Sequence, residues 1–297
     1  MNKPRPTFPA QLDATLARNR PNTVGKLAVA PTALAAKPMA PVRMPAQRVT
    51  PVARAAGGVV GGVRMGPVPL AAAPQGLGLD SAPVRQRMVH KLAQGGIADE
   101  AVLAAMGMVE RHRFVDSALV NQAYEDTSLP IGLGQTISKP NVVARMLELL
   151  RNGRSGKLGR VLEIGTGCGY QAAVLALLAD EVYSIERLRG LHDKARDNLR
   201  ALRVPNLHLL FGDGMAGFAK GAPYAGIVAA AGGEAVPQAW IDQLAVGGRL
   251  VAPVVATGRD GARPGSQALL VVDKTPQGIR QHVLEAVHFV PLKSGTA

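Results

Sequence analysis

The chain has 297 residues, 47% of them hydrophobic, which suffices for one large domain or two small ones around a buried core. Its formal net charge of +13 is of a size seen in nucleic-acid-binding proteins, but most of the excess lies in the first 80 residues. The single cysteine excludes an intrachain disulfide framework, and no apolar run approaches the ~18 residues of a membrane span or forms a secretory signal. We therefore expect a cytoplasmic protein without a membrane anchor.

Residues 1 to 80 are rich in proline, alanine, glycine and arginine. Closely spaced prolines interrupt helices before they propagate, and the glycines of 57–62 add conformational freedom, so the sequence predicts a disordered basic extension. Its scattered Lys and Arg residues lack a pattern of stacking aromatic residues, which favours at most a weak, salt-sensitive attraction to nucleic acid or acidic proteins. The folded domain is expected to occupy residues 81 to 297.

Two helices are predicted at the start of this domain. The first extends from Arg85 to Ile97 and is closed by Gly95 and Gly96. Asp99 has the residue type and position of an N-cap for the second helix, which places apolar residues on one side at helical spacing. The six histidines show no close metal-ligand pairing, so no metal site is predicted.

A loop at positions 123–140 places polar residues between two glycines and a helix start. Gly132 and Gly134 permit mobility or close approach to a ligand, and Pro140 begins the next helix. The segment after Gly134 consists of compact hydrogen-bonding residues and one isoleucine, namely Gln135, Thr136, Ile137 and Ser138. This pattern suggests contact with a substrate. An alternative stays open at this point, in which Ser138 or Thr136 only N-caps the helix.

The stretch 161–170 is an apolar strand that runs into a glycine-rich turn and then into a helix. Gly165, Gly167 and Gly169 suit a sharp turn against a ligand, because residues without a Cβ tolerate left-handed backbone and close approach. A dinucleotide fingerprint needs glycine where Tyr170 stands, and a P-loop needs a Gly-Lys-Ser/Thr ending that is missing. The spacing therefore argues against NAD and ATP.

Acidic residues at the ends of three successive strands complete the predicted site. The Glu-x-Gly-x-Gly-x-Gly pattern is typical of enzymes that use S-adenosylmethionine (SAM), and it places Glu163 beside the methionyl ammonium group. Glu186 ends the strand 181–186 and is the predicted ligand of the ribose hydroxyls, and Asp213 is expected near the adenine amino group. The predicted cofactor-binding residues are Glu163, Gly165, Thr166, Gly167, Cys168, Gly169, Glu186, Asp213 and Gly214.

The remaining pattern alternates between strands and helices, which implies a Rossmann-like α/β fold with a mostly parallel sheet and helices on both faces. Two apolar runs near the carboxy terminus are predicted as antiparallel edge strands, and Trp240 as a packing residue of its helix. The predicted helices are 171–179, 189–202 and 236–244, the last ended by Gly247 and Gly248, and the predicted strands are 207–211, 227–231, 249–254, 268–272 and 283–290.

Together these motifs resemble the protein-L-isoaspartate O-methyltransferase family. The most specific part is the block Leu-Pro-Ile-Gly-x-Gly-Gln-Thr-Ile-Ser at 129–138, supported by the glycine turn, Glu186-Arg187, Asp213-Gly214 and the segment 283–292. The resemblance covers residues 85 to 295 and leaves out the first 80. It implies the fold of class I SAM-dependent methyltransferases.

The resemblance also implies methyl transfer from SAM to the free α-carboxylate of L-isoaspartyl residues in damaged proteins and peptides. Ser138 matches the family's active-site serine and is expected to orient this carboxylate, with Gln135, Thr136 and Ile137 bordering both cofactor and substrate. A carboxyl group with a pKa of about 4 is ionised at neutral pH, so the nucleophile needs no general base. We expect the enzyme to be a monomer.

The sequence departs from the family pattern at several positions. Cys168 replaces a serine in the glycine turn, which predicts some sensitivity to oxidation, and Lys139 replaces a usual Gln or Ala beside Ser138. The other departures are Glu110 for a proline, Ala225 for an aspartate and Gly232-Gly233 for an Ala-Pro pair.

Two other functions stay open from the sequence. One is a SAM-dependent methyltransferase acting on RNA or a small molecule, although the Asn-Pro-Pro-Tyr-like motif of base-amine enzymes is missing after the fourth strand. The other is a SAM-binding protein without catalytic activity, against which the intact block 135–138 argues.

Overall fold

The computed structural model describes residues 82–256 and 265–297 of the chain. The extension predicted for residues 1–80 lies outside these residues and stays a prediction. The α-helices of the described part are Ala82–Gln94 (α1), Glu100–Met108 (α2), Pro140–Arg151 (α3), Tyr170–Leu178 (α4), Arg189–Arg200 (α5) and Gln238–Gln243 (α6). No helix in these ranges is long and apolar enough to cross a membrane.

The strands form a two-stranded hairpin and a seven-stranded sheet. The hairpin consists of Leu129–Gly132 (β1) and Gln135–Ile137 (β2). The sheet contains Leu158–Ile164 (β3), Ala179–Glu186 (β4), Leu207–Phe211 (β5), Tyr224–Ala229 (β6), Leu244–Val255 (β7), Gln267–Thr275 (β8) and Gly278–Val287 (β9).

The strand order of the sheet is β5-β4-β3-β6-β7-β8-β9. The pairs from β5 to β7 are parallel, and β8 and β9 add to one edge as antiparallel strands, which confirms the predicted arrangement. Ile164 at the end of β3 pairs with Ile185 of β4 and with Ala229 of β6. The carboxyl ends of these three strands therefore lie level with one another, where ligands bind in open α/β sheets.

Apolar residues pack on both faces of the central strands, because successive side chains of a buried strand point to opposite sides, whereas β9 is largely exposed. On one face, Val161 belongs to a large cluster that includes residues of α1 to α5. On the other face, Leu162 and Ile164 pack in a second cluster with Trp240 of α6. Trp240 is 1% exposed, which confirms its predicted packing role.

The first two helices are present as predicted, although α1 begins and ends three residues earlier than the predicted bounds Arg85 and Ile97. Asp99 N-caps α2, and its carboxylate accepts hydrogen bonds from the backbone N–H groups of Ala101 and Val102. The other carboxylate oxygen of Asp99 lies 2.8 Å from Nε of Arg151, which joins the start of α2 to the end of α3. This ion pair is almost completely buried.

Several predicted boundaries were wrong. The segment of Gln135 to Ile137 is a hairpin strand rather than a loop, since it pairs antiparallel with β1. Helix α6 covers only Gln238–Gln243, because Pro237 and Leu244 on either side have extended backbone. Strand β7 accordingly begins at Leu244, before Gly247 and Gly248, which were expected to precede it. Strand β6 covers Tyr224–Ala229 instead of the predicted residues 227–231.

Candidate functional site

A cavity of about 440 Å³ lies at the carboxyl ends of β3, β4 and β6, beneath the β1–β2 hairpin. Ten of the predicted site residues line it, namely Gln135, Thr136, Ile137, Ser138, Gly165, Thr166, Gly167, Cys168, Glu186 and Gly214. The other three, Glu163, Gly169 and Asp213, do not line it. The fold therefore brings the polar block and the glycine turn, some 30 residues apart in the sequence, to the wall of one cavity.

The backbone conformation of the glycine turn explains why glycine occupies three of its positions. Gly165, Gly167 and Gly169 all have positive φ angles, of 91°, 56° and 92°, which only glycine adopts without strain. Gly169 is also crowded, because a Cβ there would lie 2.8 Å from Cδ1 of Leu199 on α5. The first two glycines permit close approach of a ligand, and the third permits close packing of two helices.

Glu186 lies at the end of β4 and is 5% exposed. One carboxylate oxygen accepts a hydrogen bond of 2.9 Å from the backbone N–H of Gly167, and the other accepts one of 2.9 Å from Leu188. Each carboxylate oxygen has two lone pairs, so both retain acceptor capacity toward the cavity. Glu186 therefore supports the glycine turn and still presents acceptors to a ligand with hydroxyl groups.

Glu163 is completely buried behind the turn rather than exposed to the cavity. Burial raises the pKa of its carboxyl group to about 8, whereas the hydrogen bond from Ser184 and the nearby amide of Gln171 lower it. One oxygen of Glu163 and the side-chain nitrogen of Gln171 have no hydrogen-bond partner among the described residues. Gln171 acts on the Glu163 carboxyl group and also lines the cavity, so it is the side chain near Glu163 that reaches the ligand space.

Asp213 follows β5 and holds two segments together. One carboxylate oxygen accepts a 2.8 Å hydrogen bond from the backbone N–H of Met215, and the other accepts a 2.7 Å bond from Gly295. Its neighbour Gly214 lines the cavity, and the carbonyl oxygen of Gly214 accepts a hydrogen bond from the indole of Trp240. Asp213 thus shapes the cavity edge through the backbone around it.

Ser138 lies directly after β2 and is half-buried at the cavity wall. The alternative in which Ser138 or Thr136 caps α3 is wrong, because Lys139 occupies the N-cap position and no side chain bonds there. The hydroxyl group of Ser138 has no hydrogen-bond partner among the described residues. It remains available to a ligand in the cavity.

Cys168 lies in the cavity wall but is 3% exposed. Burial raises the pKa of its thiol to about 11. The thiol is therefore protonated at neutral pH, and since oxidation begins from the thiolate, the predicted sensitivity to oxidation finds no support in this environment.

Several cavity residues were not predicted from the sequence. They are contributed by β1 and its turn, by α4, by the start of α5 and by the carboxy-terminal segment, and include Ile131, Leu133, Tyr170, Gln171, Leu188 and residues 290–293. The segment 290–293 reaches the site because the backbone of Gly232 hydrogen-bonds with Val290 and Leu292. One sequence signal indicated this segment, because residues 290–292 belong to the block 283–292 that resembles the family.

Two departures from the family pattern have local compensation. Glu110 forms ion pairs with Arg85, at 3.6 Å, and with Arg113. A Cβ at Gly232 would lie 2.4 Å from Nε2 of Gln267, so the end of that side chain would have to move. The N–H of Gly233 donates to the carbonyl oxygen of Pro253, which a proline could not do. The glycine pair therefore suits this edge of the cavity, where the backbone of Gly232 hydrogen-bonds with Val290 and Leu292 of the carboxy-terminal segment.

In the part of the chain that the structure describes, no group of three or more His, Cys, Asp or Glu residues could hold a metal ion. The residues that line the cavity instead offer hydroxyl groups, the side-chain amides of Gln135 and Gln171, the carboxylate of Glu186 and the cationic side chains of Arg187 and Lys293.

Comparisons with known proteins agree with this geometry. Residues 84–297 match the family model described as Protein-L-isoaspartate(D-aspartate) O-methyltransferase. Proteins named protein-L-isoaspartate O-methyltransferase from Leptothrix cholodnii and Methylibium petroleiphilum are 62% identical over 224 and 225 residues. These alignments cover 75% of this chain and 77% and 82% of the respective relatives.

Solved structures are similar in fold. One, a protein-L-isoaspartate O-methyltransferase, has a TM-score of 0.62 at 26% identity and covers 71% of this chain and 66% of its own. Another, from Plasmodium falciparum in complex with S-adenosyl-L-homocysteine, has a TM-score of 0.60 at 24% identity and covers 70% of this chain and 98% of its own. Because the family model matches residues 84–297, which is more than half of the chain, the chain belongs to the protein-L-isoaspartate O-methyltransferase family of SAM-dependent enzymes.

Proposed function

We propose that this enzyme transfers the methyl group of SAM to the free α-carboxylate of L-isoaspartyl residues in damaged proteins and peptides. The observation that carries the proposal is that Ser138 and residues Gly165 to Cys168 of the glycine turn line the same cavity. One wall suits a nucleotide-like ligand, and the other presents a free hydroxyl group to a second ligand.

The residues present fit SAM. The cavity volume of about 440 Å³ lies within the range of about 300–1,000 Å³ typical of small-molecule sites. Glu186 would accept hydrogen bonds from the ribose hydroxyls, and the turn of Gly165 and Gly167 would admit the methionyl end against bare backbone. Gly214 would border the adenine. Bound SAM supplies an electrophilic methyl group on a sulfonium.

Glu163 and Asp213 would act through their neighbours. Gln171 acts on the carboxyl group of Glu163 and lines the cavity, so its amide would meet the methionyl group in place of the carboxylate. Asp213 would hold Gly214 and the segment near Gly295 around the adenine end. Both roles differ from direct contact with the cofactor, which was the expectation from the sequence.

Ser138 would hold the substrate carboxylate. Its hydroxyl would donate one hydrogen bond to a carboxylate oxygen, and Gln135 and Thr136 would border the peptide. In this reaction a bond would form between the carboxylate oxygen and the methyl carbon while the methyl–sulfur bond breaks. An anion and a sulfonium thus give a neutral ester and a neutral thioether, so the transition state is less charged than the reactants. The apolar walls formed by Ile131, Ile137 and Leu188 favour it by excluding water. Precise alignment of the oxygen with the methyl group supplies the rest of the acceleration.

The proposal is tested by incorporation of labelled methyl groups from SAM into three acceptors offered separately. These are an isoaspartyl peptide, the same peptide with a normal aspartyl residue, and RNA. We expect labelling of the isoaspartyl peptide alone. Equal labelling of both peptides, or labelling of RNA only, would refute the function.

A cytoplasmic location, a monomeric state and a weak contact of the basic extension with nucleic acid also stay proposals. The single cysteine suits a reducing compartment. Cell fractionation and analytical ultracentrifugation test the first two, and the third is tested by RNA binding at two salt concentrations, where the attraction should disappear at the higher one.

A further inference from the structure

Arg111 is a buried cation beside the candidate active site. It begins the short 3₁₀ helix Arg111–Phe114 and has 0% exposure. Within the described ranges 82–256 and 265–297, it forms no ion pair with a carboxylate. A buried charge without a counter-ion is costly, so its presence calls for a reason other than stability.

The contacts of Arg111 converge on the β1–β2 hairpin and the cavity wall. Its Nη2 donates a 2.6 Å hydrogen bond to the backbone carbonyl oxygen of Ser138, and its Nε donates one of 2.8 Å to Ala123. The guanidinium carbon lies 4.8 Å from the ring centroid of Tyr170, which lines the cavity. The third nitrogen, Nη1, is buried and has no hydrogen-bond partner among the described residues.

Two features of this arrangement exceed what packing requires. The peptide group of Ser138 is fixed by a charged donor, which makes a stronger hydrogen bond than a neutral one. The positive charge lies close behind Ser138 in a region of low dielectric constant, where its attraction for an anion is weakly screened. The ionisable groups around it are Tyr170, Cys168 and Asp126, together with the adjacent His112.

We infer that Arg111 positions Ser138. Its hydrogen bond fixes the peptide group of Ser138 relative to the cavity, and its buried charge favours an anionic carboxylate at the Ser138 hydroxyl group. This inference rests on the proposed function, since the isoaspartyl α-carboxylate is that anion. Arg111 acts through Ser138 and Tyr170 rather than by touching the cavity itself. It therefore favours binding and alignment of the peptide and leaves SAM binding almost unchanged.

Arg151 provides a matched control. It is also buried, at 4% exposure, and donates to backbone carbonyl oxygens of Arg154 and Gly156, but its charge is paired with Asp99 on the side of α2 and α3. Loss of either arginine should reduce stability. Only loss of Arg111 should alter the handling of the peptide.

The experiment compares the full-length wild type with R111K, R111M and R151K. For each, the kcat and KM for an isoaspartyl peptide, the Kd of SAM and the free energy of unfolding are measured. We expect R111K and R111M to lose about 10- to 100-fold in kcat/KM for the peptide, per folded molecule, as for a small misplacement of an aligning group. The Kd of SAM should stay within roughly twofold, and R151K should keep its kcat/KM within roughly twofold.

A pH profile separates the charge from the geometry. A lysine at position 111 would be buried like the arginine, so its pKa would be lowered and its charge lost as the pH rises. The kcat/KM of R111K should therefore fall with rising pH relative to wild type and R111M. A profile for R111K parallel to that of wild type, or a loss no larger than that of R151K, would overturn the inference. If wild type itself does not label the isoaspartyl peptide, the proposed function fails instead, so the two failures are distinct.

Discussion

The carboxylate of Glu186 and the backbone N–H of Gly167 are joined by a hydrogen bond of 2.9 Å, which ties the end of β4 to the centre of the glycine turn. The backbone N–H of Gly165 also donates a 2.9 Å hydrogen bond to the carbonyl oxygen of Ile185 on β4, so two of the three glycines are tied to the neighbouring strand. A site built in this way is largely preformed, so binding energy is spent on the ligand rather than on ordering the turn.

Replacing Glu186 by glutamine should weaken SAM binding. The amide retains one acceptor oxygen and places an NH₂ group against either Gly167 or Leu188, so one charge-assisted hydrogen bond is lost. We expect the Kd of SAM, measured by calorimetry, to rise about 10- to 100-fold, in line with a loss of about 1.5–3 kcal/mol. The control is Glu181→Gln on the same strand, whose side chain is 43% exposed. Equal affinities of the two variants would contradict this role.

Replacing Ser138 by alanine should lower turnover without weakening SAM binding. The variant removes the free hydroxyl from the cavity wall but leaves the backbone bond from Arg111 intact. We expect kcat for the isoaspartyl peptide to fall about 100-fold, with the Kd of SAM changed by no more than roughly twofold. Ser128→Ala removes an exposed hydroxyl just before β1 and should behave as wild type. A weaker Kd with unchanged kcat would show that Ser138 serves the cofactor instead.

Glu163 should make the stability of the domain depend on pH. Burial raises its pKa from 4.5 to about 8, so the folded protein binds more protons than the unfolded chain between these values. The free energy of unfolding should therefore fall as the pH rises from about 4.5 to about 8. Urea denaturation of Glu163→Gln across this range should show a flatter dependence than wild type. Asp180→Asn, at an exposed position of β4, should keep the wild-type slope, and a wild-type slope in Glu163→Gln would refute the assignment.

Replacing Gly169 by alanine should destabilise the domain strongly. The residue has a φ of +92°, and a Cβ there would lie 2.8 Å from Cδ1 of Leu199. Left-handed backbone and overpacking together predict a loss of about 2–4 kcal/mol in the free energy of unfolding, measured in urea. Gly212→Ala is the control, because its nearest neighbour would be 3.9 Å away, in ordinary contact. Similar stabilities of the two variants would show that the turn adapts.

Deleting residues 1–80 should leave peptide methylation intact. The sequence predicts a disordered extension, and the cavity residues all lie between 131 and 293. We expect unchanged kcat/KM for the isoaspartyl peptide, together with loss of any salt-sensitive RNA binding. An inactive truncation with normal folding would make the extension part of the enzyme.

The sequence by itself determined the fold class, the strand-end acids and the identity of the polar block. Glycine spacing and hydrophobic periodicity are local, so a reader of the chain can assign Gly165, Gly167 and the strand 207–211 without tertiary information. The same local signals placed Asp99 as an N-cap, which its hydrogen bonds confirm.

Only the tertiary structure decided which of these residues can reach a ligand. Glu163 and Asp213 are at strand ends, as predicted. Glu163 lies behind the turn, however, and the carboxylate of Asp213 accepts hydrogen bonds from the backbone N–H groups of Met215 and Gly295. Arg111 becomes informative only when its guanidinium is seen beneath Ser138, 27 positions away. Side-chain direction and long-range contact depend on how the elements pack, and a linear pattern of residue types carries no record of that packing.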